Sequence, residues 1–147
     1  MIKIRLAEET DIEDGLELIK EFTEESLKDY GAGAVNPEQI KAVFKLCIGS
    51  TLVVEKDGLI VGTVAGIVNN FPSDGSKVYQ EIIWYVSKAS RKYGVLLFRK
   101  LEEFCRAKGI KHIIMIHLAN LKAAKLDRFY TRLGFKEPIK LCCFQVR

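Results

Sequence analysis

The chain has 147 residues, 48% of them hydrophobic and 29% charged, with a formal net charge of +4 and four cysteines. That length suits one domain, residues 1–147, large enough to bury a core of its own. No apolar run reaches the ~20 residues of a membrane-spanning helix, and the residues after Met1 lack a secretory apolar region. Cys47, Cys105, Cys142 and Cys143 lack C-x-x-C spacing, so buried free thiols are expected, without a disulfide framework. A soluble cytoplasmic protein that does not associate with membranes is the expectation.

Charge is unevenly spread. Residues 1–81 hold 8 Lys/Arg and 15 Asp/Glu, a net −7, whereas residues 82–147 hold 15 and 4, a net +11. Such asymmetry marks a charged partner. The acidic half would repel nucleic acid and no nucleic-acid motif is present, so a compact anion held by the basic half is expected.

Ile2–Leu6 alternates apolar and basic residues, as a strand with one wet face does. Thr10-Asp11-Ile12-Glu13 has the form of a capping box, and Ile12, Leu16, Ile19 and Phe22 then mark a helix running to about Leu27. Two glycines in residues 30–34 break it. Asn36 caps a second helix, with Pro37 first, Gln39 third, and Ile40, Val43, Phe44 and Cys47 on its buried stripe. Thr51–Glu55, the Asp57-Gly58 turn and Leu59–Val68 predict a hairpin in which Gly62 and Gly66 permit a bulge or a close approach. A loop at Phe71–Ser76 leads into the strand Val78–Val86, rich in β-branched and aromatic residues. After the polar loop Ser87–Gly94 the period becomes helical at Leu97, Leu101, Phe104 and Cys105, and Gly109 closes the helix. His112–Leu118 is a strand parallel to Val78–Val86, Ala123–Leu133 a helix stopped by Gly134, and Leu141–Val146 a last strand.

The strand–loop–helix around Arg91, Lys92 and Gly94 is physically an anion site, because the first turn of a helix has unpaired N–H groups and the positive end of its dipole. An ordinary crossover with a solvated loop is the alternative.

The order β-α-α-β-β-β-α-β-α-β predicts an α/β domain. It resembles the GNAT superfamily of acetyl-CoA-dependent N-acetyltransferases over essentially the whole chain. Arg128-Phe129-Tyr130-Thr131-Arg132-Leu133-Gly134-Phe135 is similar to that family's late-helix signature, and the loop at Arg91 to its Q/R-x-x-G-x-G/A motif. Two registers are open there. Either Leu96 stands where Gly or Ala is expected, or Gly94 takes that last position and the loop is two residues short.

The resemblance implies a mixed six- to seven-stranded sheet, helices on both faces and a splayed parallel central pair, with acetyl-CoA (coenzyme A) as cofactor. It implies that the amides of Arg91, Lys92, Tyr93, Gly94 and Val95 surround the diphosphate. Tyr85, Val86 and Ser87 would offer backbone groups to the pantetheine arm, and Lys125 or Arg128 would reach the adenosine end. Asn120 matches the Asn that precedes the family's last helix, though further upstream. Tyr130 is placed near the cofactor sulfur as general acid, with a core tyrosine as the alternative.

Glu81, read as sharing a face with Tyr79, Ile83 and Tyr85, is a base, an attractor for a cationic amine, or a residue turned to solvent. His117, at the end of the parallel strand, is a base or a hydrogen-bonded core residue. Neither histidine has metal spacing, so no metal is expected. The implied reaction is transfer of an acetyl group to the amine of a small molecule or peptide, and the acidic first half favours a cationic acceptor. A non-catalytic acyl-CoA sensor of the same fold is the competing class, and a homodimer is left open.

Overall fold

The computed structural model describes residues 1–31, 33–116 and 123–136. Nine regular elements lie in them: β1 (Ile2–Leu6), α1 (Ile12–Phe22), α2 (Pro37–Cys47), β2 (Leu52–Lys56), β3 (Leu59–Asn70), β4 (Lys77–Val86), α3 (Gly94–Ala107), β5 (His112–Ile114) and α4 (Ala123–Arg132). The strands form one sheet in the order β1-β2-β3-β4-β5, antiparallel except for the β4–β5 pair. The mixed α/β sheet is thus present with five described strands. The last strand expected, Leu141–Val146, lies outside the described residues, as do residues 117 and 118 of the expected fifth strand, which in the described residues spans His112–Ile114.

Alternation along the strands divides the apolar residues between two faces. Leu52, Val54, Val64 and Val86 meet Leu97, Phe98, Leu101 and Cys105 of α3 on one side. Val53, Ile60, Ala65, Ile83 and Tyr85 meet Leu18 of α1 and Cys47 of α2 on the other. Helices therefore cover both faces. Among the described residues no helix is long and apolar enough to cross a membrane. Cys47 and Cys105 are buried free thiols, and burial pushes the Cys105 thiol up to about 11.

Three local readings are corrected. The capping box at Thr10 and Glu13 does not form. Arg5 draws the Asp11 carboxylate into a pair at 2.7 Å, so Asp11 accepts the Glu8 amide at 2.7 Å and a 3-10 turn over Glu9–Asp11 starts the helix. Glu13 pairs with Lys41 on α2 instead. The expected helical stretch to Leu27 leaves α geometry after Phe22 and runs through a π turn at Thr23–Leu27. Finally, Glu81 does not share a face with Ile83 and Tyr85. Ala65 pairs with Ile83 but Gly66 pairs with Glu81, so Ile82 is an extra, bulged residue that reverses the alternation. Tyr79 packs toward α3, Ile83 and Tyr85 toward α1.

Beside this bulge, Gly66 permits the close approach its sequence position suggested. A Cβ there would lie 2.5 Å from the Tyr79 ring and 2.6 Å from the Gln80 carbonyl oxygen. Tyr79 is fully buried and donates its hydroxyl to Ser50 O at 2.9 Å, so the ring has nowhere to retreat. Gly66→Ala is expected to destabilise the fold by about 2 kcal/mol, the scale of an overpacked core, read as a lowered midpoint in denaturant unfolding. An unchanged midpoint would contradict this packing.

Candidate active site

The parallel ladder is short. β4 and β5 pair only at Val78↔His112, Tyr79↔Ile113 and Gln80↔Ile114, and among the described residues no strand pairs with that edge of β4 beyond Gln80, while β3 stays paired to the other edge as far as Val86. Where the strands part, Glu81 takes over from the backbone. Its carboxylate accepts the amide of Ile116 at 2.6 Å. Glu81 is 4% exposed, and this burial pushes its pKa up to about 7, opposed by the amides of Ile116 and Trp84. A carboxyl group that titrates near neutrality, at a gap between strands, suits proton transfer.

Tyr130 reaches the same place from α4. Its hydroxyl donates to the carbonyl of Ile116 at 3.4 Å, so Glu81 and Tyr130 converge on the two peptide groups flanking one residue. The chain fixes the ring by local rules. Gly134 adopts a left-handed φ of 96°, its amide donates to Thr131 O at 3.0 Å, and the Phe135 amide donates to Tyr130 O at 3.1 Å. That is a Schellman closure, whose apolar contact is the edge-on packing of Phe135 on Tyr130 at 5.2 Å. The Leu-Gly-Phe of the late-helix signature is the device that aims Tyr130. Burial, then the charge of Glu81, raises the phenol's pKa above its ordinary value, so it is protonated at neutral pH.

Trp84, which sequence reasoning left as a strand residue, packs against Phe98, Phe129 and Tyr130 at centroid distances of 5.8–5.9 Å. It joins β4 to α3 and α4 under the site. Its being the chain's only tryptophan, next but two to Glu81, was the available signal.

The region assigned to the cofactor is rearranged relative to expectation. The polar loop is wound into a 3-10 turn over Lys88–Tyr93 that runs straight into α3, and the Gly94 amide donates to Arg91 O. Lys88, Ala89, Ser90, Arg91 and Lys92 include no glycine, so nothing opposes helical winding. Arg91 and Lys92 are exposed, Lys92 lying over the Tyr93 ring, while Val95 and Leu96 face outward and Leu97 inward. This agrees with the register in which Gly94 takes the motif's last position.

Of the three strand-end residues, Ser87 commits its amide to Val61 O at 2.9 Å. By alternation Val86 directs its N–H and C=O to the opposite edge, the one that β5 leaves. The Tyr85 side chain points to α1 and the π turn that follows it, where its hydroxyl donates to Glu25 at 2.8 Å and lies 3.4 Å from Glu21. Lys125 and Arg128 are exposed on α4. His117 and Asn120 lie outside the described residues. Among the described residues no group of three His, Cys, Asp or Glu is arranged to hold a metal.

A groove of about 220 Å³ lies between α1 and the start of β3, lined by Asp14, Glu17, Glu21, Ile60 and Ser87. Ser87 is six residues along β4 from Glu81, roughly 20 Å of extended chain. The groove is therefore not the place where Glu81 and Tyr130 meet.

The model of the Acetyltransferase (GNAT) family matches residues 15–135. The chain belongs to the GNAT family. No curated protein sequence matches it. Solved structures share the fold end to end. A Trypanosoma brucei acetyltransferase is 23% identical with a TM-score of 0.75, covering 99% of this chain and 100% of that one. Glucosamine-6-phosphate N-acetyltransferase from Arabidopsis thaliana is 20% identical with a TM-score of 0.72, covering 98% of each. AAC(6′)-Iy, solved with the bisubstrate analogue CoA-S-monomethyl-acetylneamine, is 16% identical with a TM-score of 0.74, covering 100% of this chain and 99% of that one.

The acyl donor of the GNAT family is acetyl-CoA. The residues present suit it. Among the described residues the β5-side edge of β4 is unpaired beyond Gln80, where Val86 would present its backbone groups to an amide-bearing arm, and the exposed cations Arg91 and Lys92 just before α3 would suit a diphosphate.

Proposed function

We propose that this GNAT acetyltransferase moves the acetyl group of acetyl-CoA to the amine of a cationic acceptor, with Glu81 as general base and Tyr130 as general acid. The supporting observation is the convergence of both side chains on Ile116, where β4 and β5 part. Acetyl-CoA supplies an activated thioester. Glu81, ionised above about pH 7, takes the proton of the attacking amine, directly or through a water. The N–C bond forms as the C–S bond breaks. Tyr130 donates a hydrogen bond to the departing sulfur, and its proton follows as negative charge develops there. Trp84 and Phe135 hold the phenol in place meanwhile.

A cationic acceptor such as a polyamine, aminoglycoside or lysine side chain suits the acidic first half of the chain, which carries a net −7 over residues 1–81. One structural neighbour is named as a glucosamine-6-phosphate N-acetyltransferase and another was solved with a bisubstrate analogue that joins CoA to an acetylneamine, which supports an amine as acceptor.

The loop assignment is tested at Gly94. An added Cβ would meet only Val86, at 4.0 Å, so the fold has room for a side chain. Gly94→Val is expected to weaken acetyl-CoA binding about tenfold, one misfit contact of ~1.4 kcal/mol, as read by calorimetry. Wild-type affinity in that variant would remove the diphosphate from this turn.

The wound 3-10 turn favours one other reading, a non-catalytic acyl-CoA sensor. Tight acetyl-CoA binding with only slow, amine-independent loss of the thioester would select it.

A further inference from the structure

Arg91 is not waiting alone for a diphosphate. Its Nη2 is held by the Oε1 of Glu25, 66 residues earlier in the chain, and the other oxygen of Glu25 accepts the Tyr85 hydroxyl at 2.8 Å. Glu25 stands in the π turn that follows α1. Such turns insert an extra residue at a cost in backbone hydrogen bonding and persist where they place a side chain usefully. Burial acts to raise the Glu25 carboxyl, but the hydrogen bonds from Arg91 and Tyr85 outweigh it and hold it below the usual range. The ionised carboxylate cancels the Arg91 charge where an anion would dock. It also places a negative charge within reach of that anion. Arg91 is nevertheless half-exposed, at 52%, so its guanidinium can be drawn away.

We propose that Glu25 is a positioning residue that competes with the cofactor's diphosphate for Arg91, so that cofactor binding releases the C-terminal end of α1 from the turn before α3. The exchange is a change of partner only, with no covalent step. Arg91 leaves a carboxylate for a diphosphate, and Glu25 keeps the Tyr85 hydroxyl. Cofactor would then bind first, and the freed carboxylate would face the side of the sheet that carries Glu21.

The inference rests on the acetyl-CoA reading and is separable from it by calorimetry with coenzyme A on four proteins: wild type, Glu25→Gln, Arg91→Ala and the double variant. Glu25→Gln is expected to tighten binding about fivefold, the scale of a half-exposed ion pair. The gain should vanish in the Arg91→Ala background. Tightening that depends on Arg91 is not what loss of a merely structural contact produces. Equal or weaker binding by Glu25→Gln, or a gain that persists without Arg91, overturns the inference and leaves the enzyme reading intact. Absence of coenzyme A binding by wild type overturns both. Thermal melts verify folding and Glu25→Ala repeats the measurement; if neither variant folds, Glu25 is a structural strap and the proposal falls.

Discussion

Glu81→Gln is expected to lower kcat/KM for amine acetylation by about 10³-fold, within the range of a lost general base. The substitution isolates charge from shape. A glutamine carbonyl oxygen can still accept the Ile116 amide that the carboxylate now holds at 2.6 Å, so the strap between β4 and β5 survives. Only the proton-accepting function goes. The pH profile separates this from general damage. In the wild type, kcat/KM should rise with pH through an apparent pKa of about 7, where Glu81 ionises, and that limb should disappear in the variant. Stability carries a linked signature. Burial raises the folded-state pKa of Glu81 above its unfolded value, so the folded protein holds this proton more tightly than the unfolded chain. Stability from this group is present at low pH and declines as pH rises from the ordinary carboxylate range through about 7. Glutamine should flatten that slope. A variant with near-normal turnover and an unchanged acid limb would make Glu81 a strap and nothing more.

Tyr130→Phe is expected to reduce kcat about 10²-fold and to leave acetyl-CoA affinity within about twofold of wild type, since the loss falls in the transition state rather than in binding. The ring stays where Trp84 and Phe135 pack on it, and the backbone closure at Gly134 does not depend on the hydroxyl. What is lost is the donor now resting on Ile116 O. Because burial and the nearby Glu81 charge raise this phenol's pKa, no alkaline limb from its ionisation should intrude near neutrality in the wild type. Unaltered kcat across pH would remove Tyr130 from the chemistry.

Much of the frame is legible in the residues themselves. The strand alternation, the Asn36 cap that accepts the Gln39 amide and the Gly109 and Gly134 closures are local devices with local causes, and the structure contains each of them. Tyr130 was singled out by the resemblance of its segment to the late-helix signature, and the structure adds the local cause of its ring's orientation, the Gly134 closure with Phe135 packed on it. The face of Glu81 was not readable. A bulge leaves no mark in a run as uniformly apolar as Ile82-Ile83-Trp84, because an extra residue there changes neither composition nor length enough to notice. The Thr10 capping box failed because Arg5, on another element, competed for Asp11. The tie between Arg91 and Glu25 joins residues far apart in sequence, and no periodicity within either segment encodes it. Local rules thus account for the elements, while partners brought together by the fold decided the rest.

Release of free thiol from acetyl-CoA, followed across polyamine, aminoglycoside and lysine-peptide acceptors, tests the central claim most directly. Thiol should appear in proportion to an acetylated amine, on at least one cationic acceptor, and should fall steeply in Glu81→Gln. Tight binding of acetyl-CoA with no amine-dependent thiol on any acceptor would contradict it.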